Sequence, residues 1–488
     1  MKLKVKLLKF SAGRPVVIIN EKFAAESSIH IDDRILLKSD GKSLITVVEV
    51  AKDFISRKEI AVSTEVAEGL DLKKKSEVTF EIIPQPKSVQ IIHDKLNCKI
   101  LSKKEIFTII KDIVRNALTE SEIAYFVSAV YKCGMNIEEV ANMTEAIYKT
   151  GFKLNLKNKL IADKHSIGGI PGRTTPILVS ICAVAGLIIP KTSSRAITTA
   201  AGTADAMEYL CGVDFDVDNL KKIIKHNNAC LAWGGSLGLA PADDKIIQVE
   251  KLLNLDPKSQ LIASILAKKL AVGAHYLLID VPYGKNAKVT KKEAEGLAKE
   301  FVKISKKFGI KTQCILTKSE EPLGNGVGPA LEIDDVIKIL KGESDCHLLK
   351  KKSILLSGKL LELTNKAKKG KGIDLATKIL ESGKAFEKFK SIVKSQGGKI
   401  KRFQEPKYKK IIKASKNAKI SEINTKKMNM LARIAGAPLD KLAGAYLHKH
   451  LNEKIKKGNP LLTIYSESKS ELEHAVEYFK KEKPLKLK

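Results

Sequence analysis

Aromatic side chains are scarce in this chain, at 5% with a single Trp. None is interleaved with basic residues, so the base-stacking groove of a single-strand nucleic-acid binder is not suggested. Acidic residues are also in short supply: 55 Asp and Glu stand against 87 Lys and Arg, a net charge of +32. Such a field draws in anions, whether nucleic acid or small phosphorylated molecules. A proteome-wide lysine bias or a high-salt cytoplasm is the favoured account of the excess. With no helix-turn-helix, zinc finger or other recognition module in the chain, nucleic acid is not the expected partner.

The seven cysteines (Cys98, Cys133, Cys182, Cys211, Cys230, Cys314 and Cys346) are odd in number and include no CxxC pair. They suggest neither a disulfide framework nor a zinc site, and buried free thiols are the expectation. The longest apolar run, Ile177 to Pro190, falls short of the roughly 20 residues a bilayer requires. The N-terminus, MKLKVKLLKF, alternates Lys with Leu and Val as a strand does and lacks the apolar centre of a signal peptide. A cytoplasmic location is expected.

What is present is organised in blocks. Residues 1–84 read as β-rich: Val16–Ile19, Arg34–Leu37, Thr46–Val50, Glu59–Val62 and Val78–Ile83 are short strand candidates, and Pro84 and Pro86 punctuate the chain after them. Residues 85–160, with part of 245–275, read as helical. Ser102/Glu105, Thr119/Glu122 and Asn136/Glu139 each have the spacing of a helix-opening capping pair, followed by apolar residues at helical period. Residues 161–345 alternate apolar strands with helices (Leu187–Pro190, Tyr276–Val281, Gln313–Thr317), the pattern of an α/β sheet. A Lys-rich helical stretch spans 346–402, and 403–488 turns β-containing again. The fold class expected is multidomain α/β, with a β-rich N-terminal domain, a helical domain, a larger α/β domain and an α+β C-terminal domain.

Two segments place small, hydroxyl and basic residues where packing would favour apolar ones: Lys164–Gly172 (KHSIGGIPG) and Lys191–Asp205 (KTSSRAITTAAGTAD). Glycines let backbone N–H groups approach an anion, hydroxyls donate, and Lys and Arg add charge. Two such loops at strand ends make a phosphate and ribose cradle, and neither has Walker A spacing.

Lys164-His165-Ser166-x-Gly168-Gly169, and Ser194-Arg195 running into Gly202-Thr203-x-Asp205-x-x-Glu208, resemble the signature loops of the thymidine phosphorylase family, and within it the archaeal-type branch acting on nucleoside 5′-monophosphates. Ile434–Lys441, Leu447–Lys449 and Lys457–Leu461 are similar to that family's C-terminal domain, so the resemblance spans the chain. It implies a helical domain facing an α/β domain across a cleft that closes on substrate, and a C-terminal domain used in self-association as a homodimer or larger homo-oligomer. The activity implied is phosphorolysis of AMP, with CMP and UMP, to ribose 1,5-bisphosphate and free base, without metal or organic cofactor. A pyrimidine-nucleoside phosphorylase and a basic nucleic-acid-binding protein on an inactive scaffold are the alternatives.

The resemblance also implies roles. Pyrimidine enzymes carry a base-reading Arg fifteen residues before a Ser-Ile-x-x-Lys-Lys run; here that run starts at Ser264, and the position holds Val249. In the nucleotide branch Asp256 matches the proton donor to the leaving base and Ser264 the base reader. If a helix ran unbroken through Pro257, those two would share a face. Lys288 matches a Lys that replaces an aromatic residue of nucleoside-using relatives, and would clamp the 5′-phosphate. Gly168, Ser194, Arg195, Ala196, Ile197, Thr198, Thr199 and Thr203 match nucleotide- and phosphate-binding positions. Lys164, Ser166 and Gly169 are further phosphate candidates, and His165 is a supporting residue. The turn at 170–176 is one residue shorter than in that branch, which leaves open whether Gly168 or Gly169 touches substrate.

Overall fold

The computed structural model describes residues 2–156, 161–196, 199–343 and 346–488. The chain forms two compact units: residues 1–151 with 240–264, and 152–239 with 265–488. Among the described residues no helix is long and apolar enough to cross a membrane.

The first unit opens with a closed six-stranded barrel of β1 (Lys2–Leu7), β2 (Val16–Asn20), β3 (Arg34–Ser39), β4 (Lys42–Ala51), β5 (Glu59–Val62) and β6 (Glu77–Ile82), in the order β1-β5-β2-β4-β3-β6. Side chains alternate across a strand, so Leu3 and Val5 enter the barrel while Lys2 and Lys4 face water. Closure leaves no free edge to recruit another strand. Helices Lys87–Leu96, Lys103–Val114, Glu120–Cys133 and Ile137–Thr150 follow, and Pro241–Leu253 joins them from later in the chain. All three capping boxes form, with Ser102, Thr119 and Asn136 each exchanging bonds with the glutamate three residues on. Glu139 is buried and also accepts from Lys95 Nζ (2.7 Å) and the Leu101 N–H (3.0 Å), so one carboxylate ties three segments.

Cysteine is where this unit departs from expectation. Cys98 and Cys133 form a disulfide, with Cα atoms 5.2 Å apart. The two lie 35 residues apart at the C-terminal ends of separate helices, a proximity that local spacing does not encode. The five other cysteines are thiols, and Cys314 is only partly buried.

The second unit is built on parallel strands. β7 (Ala162–Ser166), β10 (Tyr276–Tyr283) and β11 (Lys311–Lys318) form a sheet ordered β11-β10-β7, and β8 (Ile189–Ser193) pairs with β9 (Ala229–Trp233). A parallel bridge, Ile161 to Ile188, links the two sets. The long apolar run divides into a helix, Thr174–Val184, buried from Thr174 to Ala183, and the start of β8. Two sequence expectations are corrected. Lys164-His165-Ser166 is strand rather than loop, and β8 starts later and carries Lys191, Thr192 and Ser193. Polar residues hide these strands in the sequence: Lys164 and Ser166 are held by Thr174, Thr175 and Asp280 of other elements, and Lys191 lies 3.5 Å from Asp163.

Helices His347–Leu363, Gly372–Glu381 and Lys384–Ser395 make the Lys-rich stretch. The C-terminal part packs strands Tyr408–Lys413, Gly444–Leu447 and Pro460–Ser466 with helices Thr425–Ile434 and Lys469–Glu482 around Met428, Leu431, Leu447 and Ile464.

Candidate active site

In an open parallel sheet, ligands bind outside the carboxyl ends of the strands. Here those ends are Ser166, Ser193 and Tyr283, and the segments that follow carry Gly168 and Gly169, then Ser194 to Thr203, then Lys288. Gly168 and Gly169 have φ of +89° and +91°, a conformation that L side chains rarely adopt. A Cβ on Gly169 would sit 3.5 Å from Lys288 Cβ, so the β7 and β10 loops run side by side.

Beneath these loops lies a layer of buried charge. Asp163, 0% exposed, accepts from Lys269 Nζ at 2.6 Å and lies 3.5 Å from Lys191 Nζ. Asp280 pairs with Lys352 Nζ at 2.9 Å and accepts from Thr317 Oγ1 (2.8 Å) and Ser166 Oγ (3.0 Å). Lys164 Nζ donates to Thr174 and Thr175 Oγ1, at 3.1 and 3.4 Å. Burial alone would raise Asp280, but the Lys352 and Lys164 ammoniums outweigh it and hold this carboxyl below its ordinary value. Two carboxylates therefore face four buried lysines, Lys164, Lys191, Lys269 and Lys352. Burial pushes the Lys164 ammonium down to about 8 and that of Lys191 down to about 7. A bound anion would relieve both. His165 is held well below its ordinary value by burial and by the charges of Lys269 and Lys191, so its ring is neutral; its Nδ1 is buried with no hydrogen-bond partner.

The β8 loop is braced from within. Asp205 accepts from the Ala196 and Gly202 N–H groups, both at 2.7 Å. A Cβ on Gly202 would lie 2.5 Å from Ser194 O, so this crossing admits only glycine. The Arg195 guanidinium forks onto Glu208 at 2.7 and 2.8 Å, touches Asp205 at 3.3 Å, and lies 4.8 Å from the Trp233 ring. Ser194 is exposed, Ala196 and Thr199 are half-buried, and Thr203 is buried at the start of a short helix. Ile197 and Thr198 lie outside the described residues.

The first unit carries the remaining candidates. Helix Lys258–Ala271 begins after Pro257, so Asp256 is exposed in the turn before it. The shared helical face with Ser264 does not exist, because proline cannot continue a helix backwards through its own ring. Ser264 Oγ donates to Asp243 Oδ2 at 2.9 Å, and Asp243 is fully buried on helix Pro241–Leu253. Val249, on that same helix, is buried.

Family models match three stretches: Glycosyl transferase family, helical bundle domain at residues 89–151; Glycosyl transferase family, a/b domain at 158–386; and Pyrimidine nucleoside phosphorylase C-terminal domain at 419–486. The AMP phosphorylase of Pyrococcus horikoshii is 44% identical over 493 residues, covering 100% of this chain and 98% of its own. Those of Thermococcus kodakarensis and Methanococcus vannielii are 41% and 40% identical, covering 100% and 97% of this chain and 98% and 95% of their own. The chain belongs to the AMP phosphorylase family. Its fold extends further: anthranilate phosphoribosyltransferase from Thermus thermophilus superposes with a TM-score of 0.55 at 15% identity, over 63% of this chain and 99% of its own.

Within this AMP phosphorylase family chain, sequence reasoning missed Asp163, Asp280, Lys352 and Asp243 beside the candidate residues. Lys191 and Lys269 stood inside quoted motifs, but their burial did not show. The layer has a measurable consequence. A dianion that does not itself titrate, such as sulfate, should lift the depressed ammoniums of Lys164 and Lys191 on binding. At about pH 8 that takes up about one proton, and at about pH 6, where both are already charged, none. Calorimetry in two buffers of different ionisation enthalpy reads this directly; equal heats at the higher pH would remove the anion from the lysine layer. For the ligand-free protein the sign is also fixed. Both lysines lie below the 10.5 of an ordinary lysine, so their burial costs stability below about pH 7, and stability returns as pH rises towards 10.5.

Proposed function

We propose that this protein cleaves the N-glycosidic bond of AMP with inorganic phosphate, giving adenine and ribose 1,5-bisphosphate, and treats CMP and UMP likewise. The carrying observation is the buried excess of lysine beneath the strand ends, in a chain whose relatives are named AMP phosphorylase over their full length. Phosphate attacks C1′ as the C–N bond breaks, and the departing purine takes a proton, so atoms balance with phosphate as co-substrate and no metal or organic cofactor.

In this reading Asp256 gives the proton and Ser264, oriented by Asp243, faces the base. Gly168 and the 194–199 loop with Thr203 hold nucleotide and phosphate over Lys164, Ser166 and Gly169. We read the protein as cytoplasmic and self-associating through its C-terminal part. Phosphate-dependent base release from AMP, adenosine, UMP and thymidine, assayed in parallel, tests the whole reading. Activity on thymidine but not AMP would overturn it.

Lys288 gives the sharper arm. A lysine supplies a point charge suited to a 5′-phosphate dianion and serves no purpose toward a neutral hydroxyl. Lys288→Ala should raise KM for AMP by about 30-fold or more while changing adenosine cleavage little. An equal loss on both substrates would remove Lys288 from the 5′-phosphate.

A further inference from the structure

The loops at the strand ends share a support from far along the chain. Helix Thr425–Ile434 is seated in the C-terminal core by Met428, Leu431 and Ala432, all fully buried, and Asn424 caps its start by accepting the Lys427 N–H at 3.1 Å. From it Asn429, 3% exposed, reaches two loops at once. Its Oδ1 accepts from the Ala200 N–H at 3.0 Å, 229 residues away, and its Nδ2 donates to Gly169 O at 3.3 Å, 260 residues away. One turn earlier on the same face, Thr425 Oγ1 donates to Asn286 O at 2.8 Å, two residues before Lys288.

A carboxamide accepts through its oxygen and donates through its nitrogen, so one side chain can bridge an N–H of one loop and a carbonyl of another. Neither loop provides the tie for itself. The β8 loop closes on Asp205, and in the β7 loop the Gly168 N–H donates to Ser166 Oγ at 3.4 Å. We propose that Asn429 is a positioning residue that fixes the Gly168–Gly169 turn and the Ala200–Thr203 segment relative to each other, and that Thr425 fixes the Lys288 loop to the same helix. The C-terminal segment thereby sets the shape of the phosphate and nucleotide cradle. This rests on the phosphorolysis reading for which ligands the loops hold, but the tie itself is independent of it.

The test uses the full-length wild type, Asn429→Ala, Asn429→Asp and Thr425→Val. Removing the amide leaves two backbone groups unpartnered in a buried place, so the loops separate or shift. Asn429→Ala should raise KM for phosphate about tenfold or more, with kcat within about threefold of wild type. The rise in melting temperature that sulfate gives the wild type should shrink in parallel. Asn429→Asp keeps the acceptor for Ala200 and loses the donor to Gly169 at equal size. It should show an intermediate KM, and it carries the test if the alanine variant fails to fold. Thr425→Val should raise KM for AMP and leave KM for phosphate unchanged.

A purely structural asparagine would give lower active fractions with unchanged KM values and an unchanged sulfate response, which would overturn the proposal. A wild type without phosphorolysis would count against the functional reading alone, because the sulfate response of the variants still decides the clamp.

Discussion

Asp163→Ala should lower the melting temperature of the second unit by about 10 °C, the largest stability effect expected of any single substitution near the site. Asp163 is 0% exposed and neutralises Lys269 and Lys191, which are 1% and 3% exposed. It also accepts the Lys164 N–H at 2.6 Å. Removing one partner of a buried pair leaves an uncompensated charge, which costs about 3–5 kcal/mol, far more than the surface pairs elsewhere in this lysine-rich chain contribute. The signature that separates this from ordinary core damage is rescue by anion. Without the carboxylate, the two lysines need a counter-charge more than before, so sulfate should raise the melting temperature of the variant by more degrees than that of the wild type. Thermal unfolding with and without sulfate checks both statements. A melting temperature within about 2 °C of wild type would mean that the lysines shed their protons instead.

That network also explains what could be read from the chain and what could not. Ser102, Thr119 and Asn136 announced their helices because a capping box is local: both partners lie within four residues, and the bonds formed are the ones the spacing predicts. The barrel strands were legible for a similar reason, since alternation along one strand already states which face is inside. β7 was not, because ADKHS contains almost nothing apolar and is buried through Lys269, Asp280 and Thr174 from other elements. The same holds for Asn429, whose partners are 229 and 260 residues away, and for Cys98 with Cys133. Gly168, Ser194, Thr203 and Lys288 could be named as candidates from family wording. Their structural supports could not, because an acid that positions a lysine looks, in one sequence, like any other acid.

Asp256→Asn should lower kcat on AMP by about 100-fold or more, with KM changed by no more than about threefold. A purine leaves C1′ poorly as an anion, and a proton delivered to its ring nitrogen in the transition state removes that charge. Asparagine keeps the size of the side chain and can still donate a hydrogen bond to the same nitrogen, so binding persists while proton transfer does not. The structure sets Asp256 ahead of Pro257 and outside helix Lys258–Ala271, and the isosteric exchange should leave that helix and the Ser264–Asp243 bond as they are. A second substrate isolates the proton. The 7-methylpurine of a 7-methylated nucleotide already carries the positive charge that protonation would supply, and it departs as a neutral base. On that substrate the Asn variant should work within a few-fold of wild type, while on AMP it fails. Equal losses on both substrates would mean that Asp256 acts by orienting the nucleotide and not by giving a proton. No loss on either would send the search elsewhere. His165 would be a poor replacement, since burial and the surrounding lysines keep its ring neutral, with no imidazolium proton to give.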